Sequence, residues 1–392
     1  MKKLLLLLRS AWQTVSPFGR AIAALGAVCW VAGAWLGWRE FLIFTSIVIV
    51  LFAIATLFTL GRIDLTSHLR VEPSRVVVGE RAAGALTLRN NLSRSARAMR
   101  VELPVGNALA VFAVPALPPE GEAEELFVVP TNRRAVIPVG PTVTVQGDPL
   151  GVLRRKRMWS AREEIFVHPA TVGLSTMAAG LIRDLEGQTT AHLSPSDIAF
   201  HTLRDYVPGD DRRHVHWKSS AKTGRLMVRQ YVDTRRSHIA VLLSANLDEY
   251  VNEDEFELAV SCAASVAMQA MRDEQSLSMF VGEDQIATAN PKALLDRFSA
   301  IEGRSGFGGT DVCLQRARQA AADASVAVVC LGSKLGVPEI RRAASRVAFN
   351  TTSVVVRADL ESPASYRVVG SSRFVNVPNL KALNAGLERV MM

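Results

Sequence analysis

DIAFHTLRDYVPGDDRRHVHWKSSAKTGRLMVRQYVDTRR, residues 197–236, divides the chain. Upstream lie two long uncharged runs and a series of short alternating segments. Downstream, apolar runs of strand length alternate with helical patterns. The segment itself holds nine Lys/Arg and five Asp, a net +4. Pro208-Gly209-Asp210 is a turn signal. Residues 215–217 and 226–231 read as short strands, with Thr223-Gly224 as the tight turn between them. Asp210 and Asp211 stand beside Arg212 and Arg213, so internal ion pairs are expected. Three roles suit such a segment. Arg204, Arg213 and Asp210 would form a polar network that staples a linker to the next domain. Alternatively, Arg and Trp would offer a partner a recognition surface. In a third role, His214 and His216 share a strand face and hold a metal with His201, Asp210 or Asp211.

C-terminal to this segment, residues 238–243 form a buried-strand run. Residues 254–272 carry Phe256, Val260, Ala263, Ala264 and Ala267 at helical spacing. Strands follow at 277–281, 325–331 and 353–357, and helices at 311–323 and 380–391. This alternation predicts a parallel sheet with helices on both faces.

N-terminal to it, residues 64–169 change to period-two alternation. Apolar runs at 69–71, 76–78, 85–88, 99–103, 126–129 and 143–145 are punctuated by turn residues such as Gly79-Glu80 and Asn90-Asn91. Short strands at near-regular spacing predict an antiparallel β-sandwich. Arg154-Arg155-Lys156-Arg157 is a basic run. It suits a solvated loop, lipid head groups or an acidic partner.

Residues 21–38 and 41–60 contain no charge. As helices they would span about 27 and 30 Å, the thickness of a bilayer core. Only Arg39 and Glu40 separate them, which forces an antiparallel transmembrane hairpin. Trp30, Trp35, Trp38 and Phe41 crowd its turn, as aromatic rings do at an interface. Lys2, Lys3, Arg9 and Arg20 precede the hairpin, and Arg62, Arg70 and Arg75 follow it. The positive-inside rule then places both ends, and the soluble domains, in the cytoplasm. A cleaved signal peptide on Lys2-Lys3 fits less well, since residues 4–8 are short for its apolar core. Gly26 and Gly33 would let the two helices approach.

The 392 residues are nearly half apolar and one fifth charged, with a net charge of +8. That composition excludes a wholly disordered chain. The uneven spread of apolar residues excludes a polytopic membrane protein. Cys29, Cys262, Cys313 and Cys330 form no CxxC pair, which argues against structural zinc and a disulfide framework. No P-loop, GxSxG elbow or HExxH appears. Ser265, His192 and Asp184 make a triad only on paper. The expected domains are 1–62 (N-terminus and hairpin), 63–170 (sandwich), 171–236 (the dividing segment) and 237–392 (α/β domain).

The dividing segment resembles the signature of the bacterial family called domain of unknown function 58. Arg204, Tyr206, Pro208, Gly209, Asp210, Arg213, Trp217, Lys218, Ala221, Thr223, Gly224 and Leu226 carry the resemblance in order and spacing. The layout agrees: a helical hairpin, a β-rich domain ending in Asp-Pro-x-Gly (Asp148-Pro149-Leu150-Gly151), the signature, then an α/β domain. The resemblance implies that this last domain is von Willebrand factor A-like, hence Rossmann-like. It also implies a partner class, MoxR-type AAA+ ATPases active in the maturation of client proteins.

Domains of that kind often hold a divalent cation through an Asp-x-Ser-x-Ser loop, a Thr and a further Asp. The matching positions here are Ser244, Asn246, Asp248 and Thr310. The leading carboxylate is missing, and the third loop, 330–333, offers no Asp. The expectation is a degenerate site that holds no cofactor, or at most Mg2+ or Ca2+ weakly. A membrane-anchored interaction factor is therefore expected, more readily than an enzyme, contacting an AAA+ ATPase or client proteins and membrane lipid. The alternative is a membrane- or cell-wall-associated hydrolase or transferase that grips an anionic substrate through Arg204 and Arg213. Nucleic acid is not expected, because five Asp interleave the basic residues.

Overall fold

The computed structural model describes residues 14–59, 64–174, 200–207, 212–231, 238–287, 289–320, 324, 326–336, 352–369 and 372–391. The chain divides into two compact units, Met1–His168 and Pro169–Met392.

In the first unit, the Ser16 side chain accepts the Gly19 N–H at 3.0 Å, and Pro17 takes the first helical position, where no N–H is needed. Helix α1 (Pro17–Leu36) ends at Gly37, φ +69°, whose N–H returns to the Gly33 carbonyl. Helix α2 (Arg39–Thr59) runs back beside it. The break thus falls at Gly37-Trp38 rather than at Arg39-Glu40, because glycine adopts the left-handed conformation at no steric cost. Arg39 and Glu40 instead open α2. A Cβ on Gly33 would lie 2.9 Å from Leu42 Cδ2, and one on Gly26 would lie 3.1 Å from Val48 Cγ1. These glycines therefore set the approach within the hairpin. Both helices are long and apolar enough, by length and composition, to cross a membrane.

The rest of this unit is β-rich. Strands β1 (Leu65–Glu72), β3 (Ala82–Asn90) and β6 (Glu122–Val129) form one antiparallel sheet. Strands β2 (Arg75–Val77), β4 (Met99–Val105), β5 (Ala108–Val114), β7 (Ala135–Val139), β8 (Val143–Gly147), β9 (Arg154–Met158) and β10 (Glu163–His168) form the other, with β2 parallel to β10. The alternating residues of both sheets meet in shared cores, among them Val71 and Phe127 with Leu103, Ile137 and Val167. Residues 154–157 are a strand, not a loop. β9 is an edge strand, and its run of four basic residues hides the apolar period that marks the others.

The Asp148-Pro149-Leu150-Gly151 turn between β8 and β9 closes on the open end of the hairpin. The Asp148 carboxylate accepts the N–H groups of Leu150 (3.0 Å) and Leu153 (2.6 Å). Ser16 then donates its hydroxyl to the Gly151 carbonyl at 2.6 Å and its N–H to the Val152 carbonyl at 3.0 Å. A Cβ on Gly19 would run into that Val152 carbonyl. Val152 and Leu153 pack on Ala55, Leu51 and Phe52 of α2.

The second unit opens with β11 (Phe200–Asp205), a short helix α3 (Trp217–Thr223) and β12 (Met227–Tyr231), with β11 and β12 forming a two-stranded antiparallel ribbon. Its main sheet uses β13 (His238–Leu243), β14 (Ser276–Val281), β15 (Asp284–Ile286), β16 (Val326–Leu331), β17 (Thr352–Ala358), β18 (Ser365–Val369) and β19 (Ser372–Val377) in the order β15-β14-β13-β16-β17-β19-β18. The five central strands are parallel, as the alternation predicts. The edge strands β15 and β18 are antiparallel, so the sheet is mixed. Each of these edge strands follows or precedes its neighbour through a short hairpin, which forces antiparallel pairing.

Helices α4 (Glu253–Arg272), α5 (Pro291–Ser299) and α7 (Leu380–Met391) share one core with Ile239, Val241 and Leu243. Helix α6 (Thr310–Ala320) packs on Ala240 and Leu242 of the opposite face. β13 is thus buried on both sides, which explains its uninterrupted apolar sequence.

Cys262 and Cys313 sit in these cores, and burial pushes both thiols up to about 12. An unfolded thiol ionises near pH 8.5, so the folded unit retains protons that the unfolded chain has released. We expect its stability to be complete below that pH and to fall as pH rises toward 12. Urea unfolding monitored by circular dichroism at stepped alkaline pH measures this. An unchanged midpoint would contradict it.

Candidate functional site

The signature residues form a small module. Backbone bonds tie Tyr206 N–H to the Leu226 carbonyl (2.8 Å) and His216 N–H to the Met227 carbonyl (2.7 Å), and Val215 bridges Val228. The predicted strand at 215–217 is only that single bridge. Trp217 instead begins helix α3, because the His216 ring caps it: Nδ1 lies 2.7 Å from Ser219 Oγ and accepts the Ser219 N–H. His214 ends a 3-10 turn, Arg212–His214. The two histidines therefore do not share a strand face, and the side chain of His201 lies outside the description. Thr223 and Gly224 close α3 rather than a hairpin, with Gly224 at φ +69°. Ser220, buried, donates to the His216 carbonyl and accepts the Met227 N–H, locking helix to strand.

Arg204 is half-buried and donates to the Asp205 carbonyl at 3.2 Å. Asp205 pairs with exposed Arg225 at 3.8 Å. Tyr206 is half-buried, and Arg213, Lys218, Ala221 and Gly224 are exposed. Pro208, Gly209 and Asp210 lie outside the described residues, as does Asp211, so the expected ion pairs with Arg212 and Arg213 do too. Trp217 is 66% exposed, and Val207 and Leu226 are also open. The backbone bonds above put these three apolar residues at neighbouring positions.

The second site gathers at the carboxyl ends of β13 and β16. The chain leaves β13 toward β14 on one side and later returns as β16 on the other, so a crevice opens between them. Residues 244–250 fill it. Buried Ser244 donates its N–H to the Cys330 carbonyl at 3.0 Å, and its own carbonyl accepts the Tyr250 hydroxyl at 2.7 Å. Burial, then the nearby Glu249 charge, raises the Tyr250 phenol well above its ordinary value. A Cβ on Gly332 would collide with Glu249 and Tyr250, so glycine is needed where the two loops cross.

The side chain at each of the four cation-loop positions has a protein hydrogen-bond neighbour. Ser244 Oγ lies 3.4 Å from the Asn246 N–H. Asn246 Oδ1 accepts the N–H groups of Asp248 (3.1 Å) and Gly306 (2.9 Å), and Asp248 Oδ2 also accepts from Gly306 (2.9 Å). Thr310 donates its hydroxyl to Glu249 Oε2 at 2.6 Å and its N–H to Glu249 Oε1 at 2.9 Å. Among the described residues no three His, Cys, Asp or Glu gather as a metal would require.

Glu249 is the residue that sequence reasoning missed. It lies 61 positions from Thr310, and its only local signal is a carboxylate one residue past the loop. Buried Glu255 plays a similar part, accepting from both the N–H and the hydroxyl of Ser333. Arg357 in turn donates to the Ser333 carbonyl. Ser265 is buried in α4, bonded to the Ser261 carbonyl and the Val172 N–H. His192 and Asp184, its partners in the paper triad, lie outside the described residues.

Residues 202–297 match the model of the family described as Protein of unknown function DUF58. The uncharacterized protein YeaD of Bacillus subtilis is 24% identical over 269 residues, which is 64% of this chain and 63% of that protein. Both findings support the family. Among solved structures, the CARDB domain of a Pyrococcus furiosus protein is 16% identical, covering 27% of this chain and 93% of its own, with a TM-score of 0.21. A domain of a Methanosarcina acetivorans protein gives the same figures. Scores of that size define no shared fold.

Glu249→Ala would strand the Thr310 N–H and hydroxyl. We expect it to cost about 1–3 kcal/mol of unfolding free energy in the second unit, with Glu249→Gln costing less because it keeps an acceptor. Urea titration of the two variants beside the parent checks this.

Proposed function

We propose that the chain is a membrane-anchored protein-interaction factor that works with an AAA+ ATPase of the MoxR type in the maturation of other proteins. In this proposal α1 and α2 span the membrane, with both ends in the cytoplasm. The C-terminal unit is von Willebrand factor A-like, consistent with five parallel strands between helical layers. The ATPase as partner class comes from the family resemblance.

The observation that carries the proposal is the exposure of Val207, Trp217 and Leu226 beside Lys218 and Lys222 on the signature module. A two-stranded ribbon is marginal in water without something to pack on. This one spends three large apolar side chains on solvent, and Trp is enriched among the residues that anchor protein interfaces. The tests are co-purification of the full-length chain from native membranes with and without Mg-ATP, and the same with Trp217→Ala. The parent should retain the ATPase, and Trp217→Ala should reduce retention by about tenfold or more without shifting the melting temperature. Retrieval of no ATPase under either condition would overturn the proposal.

The interaction is cation-independent in this proposal. Asn246, Asp248 and Thr310 already spend their oxygens on Gly306 and Glu249. Mg2+ or Ca2+ would have to break those bonds, and the two carboxylates present, Asp248 and Glu249, are already committed to Gly306 and Thr310. Isothermal titration should give no Mg2+ or Ca2+ binding tighter than millimolar, and a submillimolar constant would refute this.

A further inference from the structure

We infer that the corner between β8 and β9, built on Asp148-Pro149-Leu150-Gly151 and the start of β9, is a binding surface for anionic phospholipid head groups. The inference rests on the reading of α1 and α2 as membrane spans.

Position carries it first. The corner is fixed to the hairpin by the two Ser16 bonds to Gly151 and Val152 and by the packing of Val152 and Leu153 on α2. Ser16 caps the first turn of α1, so the Gly151 and Val152 carbonyls that it bonds stand at the end of a helix about 30 Å long, the thickness of the hydrocarbon core. In the membrane reading the corner therefore lies where that core meets the headgroups.

Chemistry carries it second. Leu150, at the tip of the turn, is 62% exposed, an apolar residue placed where it can enter the acyl boundary. Asp148 beside it is buried, and both its oxygens are spent on backbone N–H groups, so the turn shows little negative charge. β9 then begins with Arg154 and Arg155, neither of which is paired with a carboxylate among the described residues. Further along, Lys156 is held by Glu102 at 2.7 Å and Arg157 lies over the Trp159 ring. Arg97 reaches the end of α2 from another strand connection, donating to the Phe58 carbonyl at 3.3 Å. Among the described residues β9 is also the edge strand of its sheet, with Val15 bridging Leu153 at its start. An apolar tip flanked by arginines at headgroup depth matches an anionic leaflet surface, where each basic residue favours anionic lipid.

The test uses the full-length chain in phosphatidylcholine vesicles containing a minority of phosphatidylglycerol. Spin-labelled lipids of each headgroup report the fraction immobilised by the protein. The parent should prefer phosphatidylglycerol, and high salt should weaken the preference. Arg154→Gln with Arg155→Gln should lower it at least about twofold, while Arg154→Lys with Arg155→Lys retains it. Circular dichroism of each variant separates loss of binding from loss of fold. Equal association of both lipids with the parent, or an unchanged preference in the glutamine variant, would overturn the inference and leave the basic strand to an acidic protein. Extraction of the parent from native membranes by alkaline carbonate would instead overturn the membrane reading itself.

Discussion

Helix N-termini that must not be left unsatisfied organise much of this molecule. The first N–H groups of a helix have no partner within it, and where a helix starts in an apolar setting that cost is high. Ser16 meets the need for α1, Asn252 for α4, His216 for α3 and Glu249 for α6. Two of these residues do more than cap. Ser16 also bonds the turn 135 positions away, and Glu249 bonds across 61 positions. Capping and long-range assembly are thus the same interaction in both units.

The consequence differs between the units. At Ser16 the cap turns a loosely tethered β domain into one seated on the open end of the hairpin, with Gly19 cleared of side chain so that the Val152 carbonyl can approach. At Glu249 the cap closes the crevice where β13 and β16 diverge. A crevice of this kind commonly receives a ligand; here the chain's own carboxylate and Tyr250 take the space. On the signature module, Val207, Trp217 and Leu226 stay exposed while buried Val215, Val228 and Ser220 hold it together.

Much of the fold was legible along the chain. Both apolar helices, β1 to β4, β6 and β8, the strands β13, β14, β16 and β17, and helices α4 and α7 follow from spacing alone. Failures cluster where that signal is weak. β9 reads as a basic run because an edge strand carries arginine without penalty. The helix at Trp217 reads as strand because Val215, His216 and Trp217 look β-like until the His216 cap is seen. β15 and β18 are short edge strands flanked by loops, and their antiparallel pairing makes the sheet mixed.

The sequence by itself determined where apolar length suffices for a bilayer, where period two gives way to strand–helix alternation, and that the densest charge pattern lies in residues 197–236. Those properties are local, set by neighbours within a few turns. The tertiary structure alone decided that Asp-Pro-x-Gly is the joint beneath the hairpin, that Thr310 faces a carboxylate rather than an open loop, and that the basic run lies beside the open end of the apolar hairpin. Each of these depends on a hydrogen bond or packing contact between segments tens of residues apart. No local pattern records such a contact, because the partner is chosen by three-dimensional proximity and not by sequence spacing.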